Sequence, residues 1–176
     1  AAYGLLNHKV SAKWSYQIGI RFENTLSKGW LHNAKVVHRN YNNFFPTAFL
    51  KYQTNEEKSY VLAMTSRISR PSYWDVNPFR SYTTDETYLE GNPFLVPSKY
   101  YKQEINYVSD AAKKSFTVQL AASQTFDEFF SLPYNPTQNI ISNKKTNYGN
   151  KYGFSNTITY YIQIQPWWKI TSTFLA

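Results

Sequence analysis

The chain has 176 residues, no cysteine, 17% charged residues and a formal net charge of +8, which bounds it to one domain or part of one. Without Cys, disulfide frameworks, thiolate metal sites and Cys nucleophiles are excluded. No run approaches about 18 consecutive apolar residues, so no membrane-crossing helix is expected.

Aromatics reach 19%, with 16 Tyr, 12 Phe and 5 Trp. Tyr and Trp favour sites with one apolar and one wet side. The mean hydropathy of −0.55 resembles that of a soluble chain, but a barrel with polar inward residues averages to the same value. Residues 1–10 lack a basic start followed by an apolar run, so no signal peptide is expected there. The basic residues are scattered, with no run of five, which argues for solvated loop and lumen charges and against a nucleic-acid partner.

Along the chain the dominant signal has period two. Trp14, Tyr16, Ile18, Ile20 and Phe22 alternate with Ser15, Gln17, Gly19 and Arg21. A helix, with period 3.6, would mix these two sets. The pattern recurs over Pro46–Gln53, Tyr60–Thr65, Tyr101–Tyr107, Phe116–Ser123 and Tyr152–Ile164, and Trp168, Ile170 and Phe174 close the series. About eight strands are expected, at residues 1–10, 14–25, 44–53, 59–69, 99–108, 115–124, 140–164 and 167–176. The seventh reads as one long strand bent or bulged at Gly149 and Gly153; two strands with a turn near Asn147–Asn150 are the alternative.

Short polar turns are expected near Ser11–Lys13, Asn55–Lys58, Asp110–Lys114 and Gln165–Pro166. Long irregular stretches are expected near Thr25–Asn43, Arg70–Ser98 and Thr125–Asn139. Short turns at one end and long loops at the other are the layout of a transmembrane β-barrel. A soluble β-sandwich also alternates faces. Here, however, the apolar faces are rich in Tyr and Trp, and the opposite faces carry Thr, Gln, Ser, Lys and Asn, which suit a wet interior. Trp14, Tyr60, Tyr107, Trp167 and Trp168 gather beside short turns, as in an interfacial aromatic girdle.

Chemistry-bearing motifs are sparse. His8, His32 and His38 have no acidic partner at metal-ligand spacing. No phosphate loop, nucleophile elbow or paired-carboxylate constellation stands out. Asp127 and Glu128, beside Phe126, Phe129 and Phe130, read as an aromatic loop tip. No enzymatic activity, metal or cofactor is expected.

Residues 67–79, Arg-Ile-Ser-Arg-Pro-Ser-Tyr-Trp-Asp-Val-Asn-Pro-Phe, are followed by residues 90–97, Glu-Gly-Asn-Pro-Phe-Leu-Val-Pro. Together they resemble the barrel signature of the Bacteroidota TonB-dependent-receptor-like outer-membrane proteins, R-x-I-x-R-P-S-Y-x-D-L-N-P-F and E-G-N-P-x-L-x-P. Val76 stands where Leu is usual. Residues 45–52 are similar to the family's F-P-S-x-x-L-x-Y strand, and Trp14–Glu23 to its W-S-x-x-x-G-x-R-x-E strand. Trp167-Trp168 after a Pro is similar to its strand-opening P-x-x-W-W. The resemblance spans nearly the whole chain.

The physics of the motif stands beside the resemblance. Pro71, Pro78, Pro93 and Pro97 cannot continue a sheet ladder, and Gly91 permits a tight turn. Residues 70–98 are therefore expected to be an ordered, kinked loop, with Tyr73, Trp74, Phe79, Tyr82 and Tyr88 packed inside it. Arg67, Arg70 and Arg80 with Asp75, Asp85, Glu86 and Glu90 are expected to form an ion network. Arg67, Arg70, Tyr73, Trp74, Asp75, Asn77, Arg80, Glu90 and Asn92 are the candidate contacts for a ligand or a lid protein, set against a purely structural role in fixing the loop.

The resemblance implies a bacterial outer-membrane location and a barrel of about 22 strands filled by a plug domain. Residues 1–176 would then be about eight strands of one barrel domain, all-β and antiparallel, with the plug absent from this chain. The implied function is uptake of an unidentified nutrient, with TonB acting through the plug. A barrel subunit without transport of its own, or a small self-closed eight-stranded barrel, are the alternatives. Implied partners are outer-membrane lipid and lipopolysaccharide, the remainder of the barrel with its plug, and other outer-membrane proteins. Lys28, Lys35, Arg39, Lys144, Lys145 and Lys151 are the candidate contacts with lipopolysaccharide phosphates.

Overall fold

The computed structural model describes residues 1–31, 34–131, 134–135 and 140–176. In chain order the elements begin with β1 (Ala2–Lys9), β2 (Trp14–Leu31), β3 (Ala34–Gln53) and β4 (Lys58–Ser69). A single-turn helix α1 (Tyr73–Val76) and two short strands, β5 (Ser81–Thr84) and β6 (Thr87–Leu89), come next. The long strands β7 (Ser98–Ala111) and β8 (Lys114–Ser131) lead to β9 (Tyr134–Asn135) and β10 (Ile140–Asn143). The chain closes with β11 (Lys145–Gln165) and β12 (Trp168–Leu175).

Eight of these strands form one antiparallel sheet in the order β1-β2-β3-β4-β7-β8-β11-β12. Each long strand lies beside its neighbour in sequence. Among the described residues the sheet does not close on itself: β1 pairs with β2 alone, and β12 with β11 alone. A self-contained eight-stranded barrel is thereby ruled out for this arrangement.

Register keeps the period-two pattern on two continuous faces, because a one-residue slip would exchange them. Ile18 pairs with Ala48, Ala48 with Met64, Leu62 with Ile105 and Ile105 with Leu120. This apolar face is left open: Leu62 is 49% exposed and Ile105 53%, as lipid-facing side chains are when no lipid surrounds them. The opposite face carries Arg21, Thr47, Thr65, Glu104 and Gln119, with the small, buried Ala63 and Ala121 between larger neighbours. That is the polar inner face of a barrel wall.

Local chemistry explains the short turns. Ser11 Oγ accepts from the backbone N–H groups of Lys13 and Trp14 at 3.2 and 3.1 Å. Asn55 Oδ1 accepts from those of Glu57 and Lys58 at 3.1 and 2.8 Å. Pro46 lies two residues beyond the last β3–β4 pair, Ala48 with Met64. It has no N–H for a ladder, and the Ser66 hydroxyl donates to its carbonyl at 2.8 Å instead.

Three expectations are corrected. Residues 25–31 and 34–43 are not irregular but continue β2 and β3 as one long hairpin, and residues 125–131 continue β8. Backbone pairing satisfies its own donors and acceptors, so a ladder runs on past the apolar band whether or not the side chains still alternate. Residues 140–143 do not start the seventh wall strand. They form β10, which pairs parallel to β6 and antiparallel to β9 in a separate four-stranded sheet, β5-β6-β10-β9. From Lys145 onward the long strand is single, and its register shifts on both sides of Gly149, whose φ of 128° an L side chain rarely adopts.

Candidate functional site

The motif segment, residues 70–97, lies at the end of the sheet opposite the short turns and is built largely by side chains. Ser72 caps α1: its hydroxyl accepts from Asp75 N–H at 3.3 Å, and Asp75 Oδ2 accepts from Ser72 N–H at 2.8 Å, a reciprocal capping box. The Asn77 N–H donates to Tyr73 O at 3.0 Å, and Asn77 Oδ1 accepts from Phe79 N–H. The second half of the motif folds back onto the first. Gly91 N–H donates to Asn77 O at 2.8 Å and Asn92 N–H to Asp75 O at 2.6 Å. A Cβ at position 91 would lie 2.4 Å from Asn77 O, 2.5 Å from Asn77 N and 2.6 Å from Trp74 O, so only glycine fits this crossing.

The folded-back segment is clamped to the strand ends. Asn92 Nδ2 donates to Lys145 O at 3.0 Å. Asn147 Oδ1 accepts from Val96 N–H at 2.9 Å, while its Nδ2 donates to Val96 O and Asp127 O at 3.0 and 2.8 Å. The Arg39 guanidinium donates to the carbonyls of Pro93 and Leu95. Leu95, whose carbonyl accepts one of these bonds, is fully buried at 0% exposure. Asp127 has φ of 54° and lies within β8 beside the irregular register of β11, not at an aromatic loop tip.

The ion network differs from the expected one. Glu90 receives Arg80 Nε and Lys144 Nζ, each at 2.7 Å, and Lys145 Nζ meets Asp75 Oδ1 at 2.8 Å. Arg70 reaches Glu23 of β2 at 2.5 Å. Among the described residues Asp85 and Glu86 join no ion pair, and Arg67 belongs to β4, where its odd position turns it to the inner face. The hydrogen bonds from Lys144 and Arg80 hold the Glu90 carboxyl below the ordinary carboxylate range. Burial pulls Asp75 upward, but bonds from Lys145 and Ser72 outweigh it and hold Asp75 low as well.

This arrangement also revises the reading of the loop cations. Arg39, Lys144 and Lys145 bind the platform itself, because Glu90, Asp75 and two turn carbonyls lie within their reach, and so they do not stand free for lipopolysaccharide. Lys151 pairs with Thr125 on the inner face. Lys28 is exposed on the outward face of β2, and the side chain of Lys35 lies outside the described residues. The same holds for His32 and for the side chain of His38; His8 stands 5.7 Å from the Tyr16 ring.

The motif aromatics are not packed inside the loop. Tyr73, Trp74, Phe79 and Tyr82 are 68%, 76%, 56% and 63% exposed, because the interior of so small a loop is taken by Leu95 and by backbone. Tyr82 and Tyr88 pair across β5 and β6 with ring centroids 5.6 Å apart, and the Arg80 guanidinium lies 4.6 Å over Tyr88. Trp74 and Phe79 border a cavity of about 610 Å³ shared with Arg80, Glu90, Gly91 and Lys145. An aromatic rim over paired charges can hold a ligand with both a flat apolar face and hydrogen-bonding groups. Among the described residues no cluster of three His, Asp or Glu is placed to hold a metal.

The candidate girdle residues occupy the short-turn end. Trp14 pairs with Tyr52, Tyr52 with Tyr60 and Tyr60 with Tyr107, with ring centroids 4.5, 6.4 and 5.0 Å apart, so one aromatic row crosses β2, β3, β4 and β7. Trp167 and Trp168 stack at 6.3 Å on the last short turn. Glu23, Arg39, Leu95 and Asn147 were missed as platform residues. Leu95 and Glu23 had a sequence signal, as the Leu of the second motif half and the acidic end of the Trp14–Glu23 strand motif, but neither marked a contact; Arg39 and Asn147 lie far from the motif in sequence.

Comparison with known proteins fits this geometry. No curated protein sequence matches the chain. The copper transporter OprC matches in structure with a TM-score of 0.67 at 13% identity, over 98% of this chain and 28% of that one. The siderophore receptor PirA of Pseudomonas aeruginosa gives 0.66 at 10% identity, over 99% and 34%. The ferric-catecholate import receptor Fiu of E. coli K12 gives 0.62 at 15% identity, over 98% and 27%. At these identities the likeness is one of fold, and the chain spans about a third of those proteins or less. Residues 1–176 as a whole match the model described as outer membrane protein beta-barrel family, and with that match, the two-faced sheet and the short-turn layout, the chain belongs to the outer membrane protein β-barrel family.

Proposed function

We propose that this chain is the wall and part of the ligand-facing rim of a TonB-dependent-type outer-membrane receptor of Bacteroidota type, importing a nutrient and carrying no catalysis of its own. The observation that supports this reading most directly is the platform. An ordered loop sheet, carrying an aromatic-rimmed cavity, is pinned by Arg39, Asn92 and Asn147 over the long-loop end of an open barrel wall. Unpaired edges at β1 and β12 are not viable in lipid, so further strands of the same polypeptide are expected to pair with them. A plug would fill the lumen and link it to TonB. The surrounding lipid and lipopolysaccharide would meet the apolar face, its aromatic row and Lys28.

The test is the intact mass of the native polypeptide from outer membranes together with nutrient-limited growth of a deletion strain. A mass several times 20.6 kDa and a growth defect restored by the gene support import. A deletion strain that grows normally, with the protein co-purifying at fixed ratio with another outer-membrane protein, supports a non-transporting interaction barrel. That second reading is favoured by the exposed Tyr73, Trp74 and Phe94 on the platform (68%, 76% and 84% exposed).

A further inference from the structure

On the inner face of β1–β4 we propose an anion path that ends in a binding point formed by Arg21 and Arg67, taking a ligand that bears carboxylate or phosphate groups; this rests on the import reading. Two adjoining hollows carry it. The one toward the short turns, about 480 Å³, is bordered by Lys9 and Lys51 with Asn7, Ser15 and Gln17. The one toward the platform, about 620 Å³, is bordered by Arg21 and Arg67 with the hydroxyls of Tyr3, Thr47 and Thr65.

All four cations share the inner face by register. Lys9 pairs with Ser15, Ser15 with Lys51, Tyr3 with Arg21, and Arg67 lies two residues on from Thr65 on the same face of β4. Arg21 lies six positions beyond Ser15, about 20 Å along the strand, so the charges are spread along the wall and not gathered at one end.

The charge balance points to an anion. At the platform end, Glu23 meets Arg21 at 3.2 Å and Arg70 at 2.5 Å, so its two oxygens are already taken. Among the described residues no carboxylate pairs with Arg67, Lys9 or Lys51. The Arg21 guanidinium is held 4.7 Å over the Phe45 ring, which fixes its plane and lowers the entropy lost on binding. Gly19 keeps the floor open: a Cβ there would lie 2.6 Å from Thr47 Oγ1 and 3.1 Å from Leu5 Cδ1. Two guanidiniums with neighbouring hydroxyls match the geometry of carboxylate and phosphate, and a low-dielectric wall focuses their field along the lumen.

The test uses the native protein that contains this chain, purified from outer membranes in detergent, with citrate and pyrophosphate as probes in titration calorimetry at low salt. Binding to the wild type is expected, weakened about tenfold or more by Arg21→Gln and by Arg67→Gln. Lys58→Gln and Lys114→Gln, on the opposite face, are expected to leave it unchanged. Heat-modifiable migration on gels reports that each variant is folded. No binding to the wild type, or equal affinity in the Arg21 and Arg67 variants, overturns the proposal. Cross-linking of the Arg67→Cys variant to an acidic stretch of the same polypeptide, in the absence of probe binding, overturns it in favour of an internal occupant. A growth defect on deletion without anion binding removes this site and leaves import standing; anion binding without a growth defect supports the site and removes import.

Discussion

The barrel wall and the platform are built by opposite means. The wall repeats one rule: each strand pairs with its sequence neighbour, and residue parity decides which face a side chain meets. Its ladders are backbone to backbone, so few individual residues are indispensable. The platform has little regular ladder, with two short strands and one helical turn between prolines. It is held by a handful of particular groups, namely Gly91, Asn92, Leu95, Glu90 and, from distant strands, Arg39 and Asn147. Substitutions should therefore be tolerated by position class in the wall and judged residue by residue in the platform.

The largest effect is expected at Gly91. Gly91→Ala places a Cβ against three backbone atoms that cannot move aside, so residues 70–97 should detach and become protease-sensitive on whole cells while the wall keeps its heat-modifiable fold. Gly4→Ala in β1, where nothing lies within 4 Å of the new Cβ, should change stability by less than about 0.5 kcal/mol. Equal tolerance at the two glycines would show that the platform, like the wall, depends on no single residue.

Leu95→Ala should cost the platform about 2–5 kcal/mol through the lost burial and the cavity left behind. Hydrogen exchange of residues 91–97 should accelerate, with β4 and β7 unchanged. Acceleration spread evenly across the wall would show that platform and wall unfold as one unit.

Within the wall, Leu62→Arg on the apolar face should cost about 2–4 kcal/mol if it sits near the bilayer midplane. Thr47→Arg, on the inner face, should cost much less. Urea titration of the folded barrel in lipid vesicles measures both, and the reverse order would exchange the two faces.

The smallest effect is a pH dependence at the platform. The folded-state pKa of Glu90 is lowered from 4.5 by Lys144 and Arg80. Its contribution is therefore complete above the unfolded-state pKa and is lost as the pH falls through the lower folded-state value. Platform opening, read as the exchange rate divided by the intrinsic amide rate at each pH, should be constant from neutral pH to about pH 5 and rise in the acid range below 4.5. Glu90→Gln should remove most of that rise. A rise centred above pH 5 would point to another group.

Much of the wall was readable in advance for a physical reason. Lipid demands an unbroken apolar face, the pleat has a period of two, and so the alternation from Trp14 to Phe22 and from Tyr152 to Ile164 is written directly into residue order. The short turns, the bulge at Gly149 and the aromatic row through Trp14, Tyr60 and Tyr107 follow from the same local rules. Past the apolar band the alternation fades, so residue order alone does not distinguish the continuation of β2, β3 and β8 from loop.

The platform was legible as a motif but not as a construction. Residue order marked its prolines, Gly91 and its charges, and the chain by itself determined an antiparallel, two-faced sheet with one ordered loop. Only the tertiary structure decided that Lys144 and Lys145 serve Glu90 and Asp75, that Arg39 and Asn147 hold the loop down, and that the aromatics face outward. Those contacts join residues about 50 to 70 positions apart. No local periodicity encodes such a meeting, because it depends on the shear and register that bring the ends of β3, β8 and β11 beneath one loop.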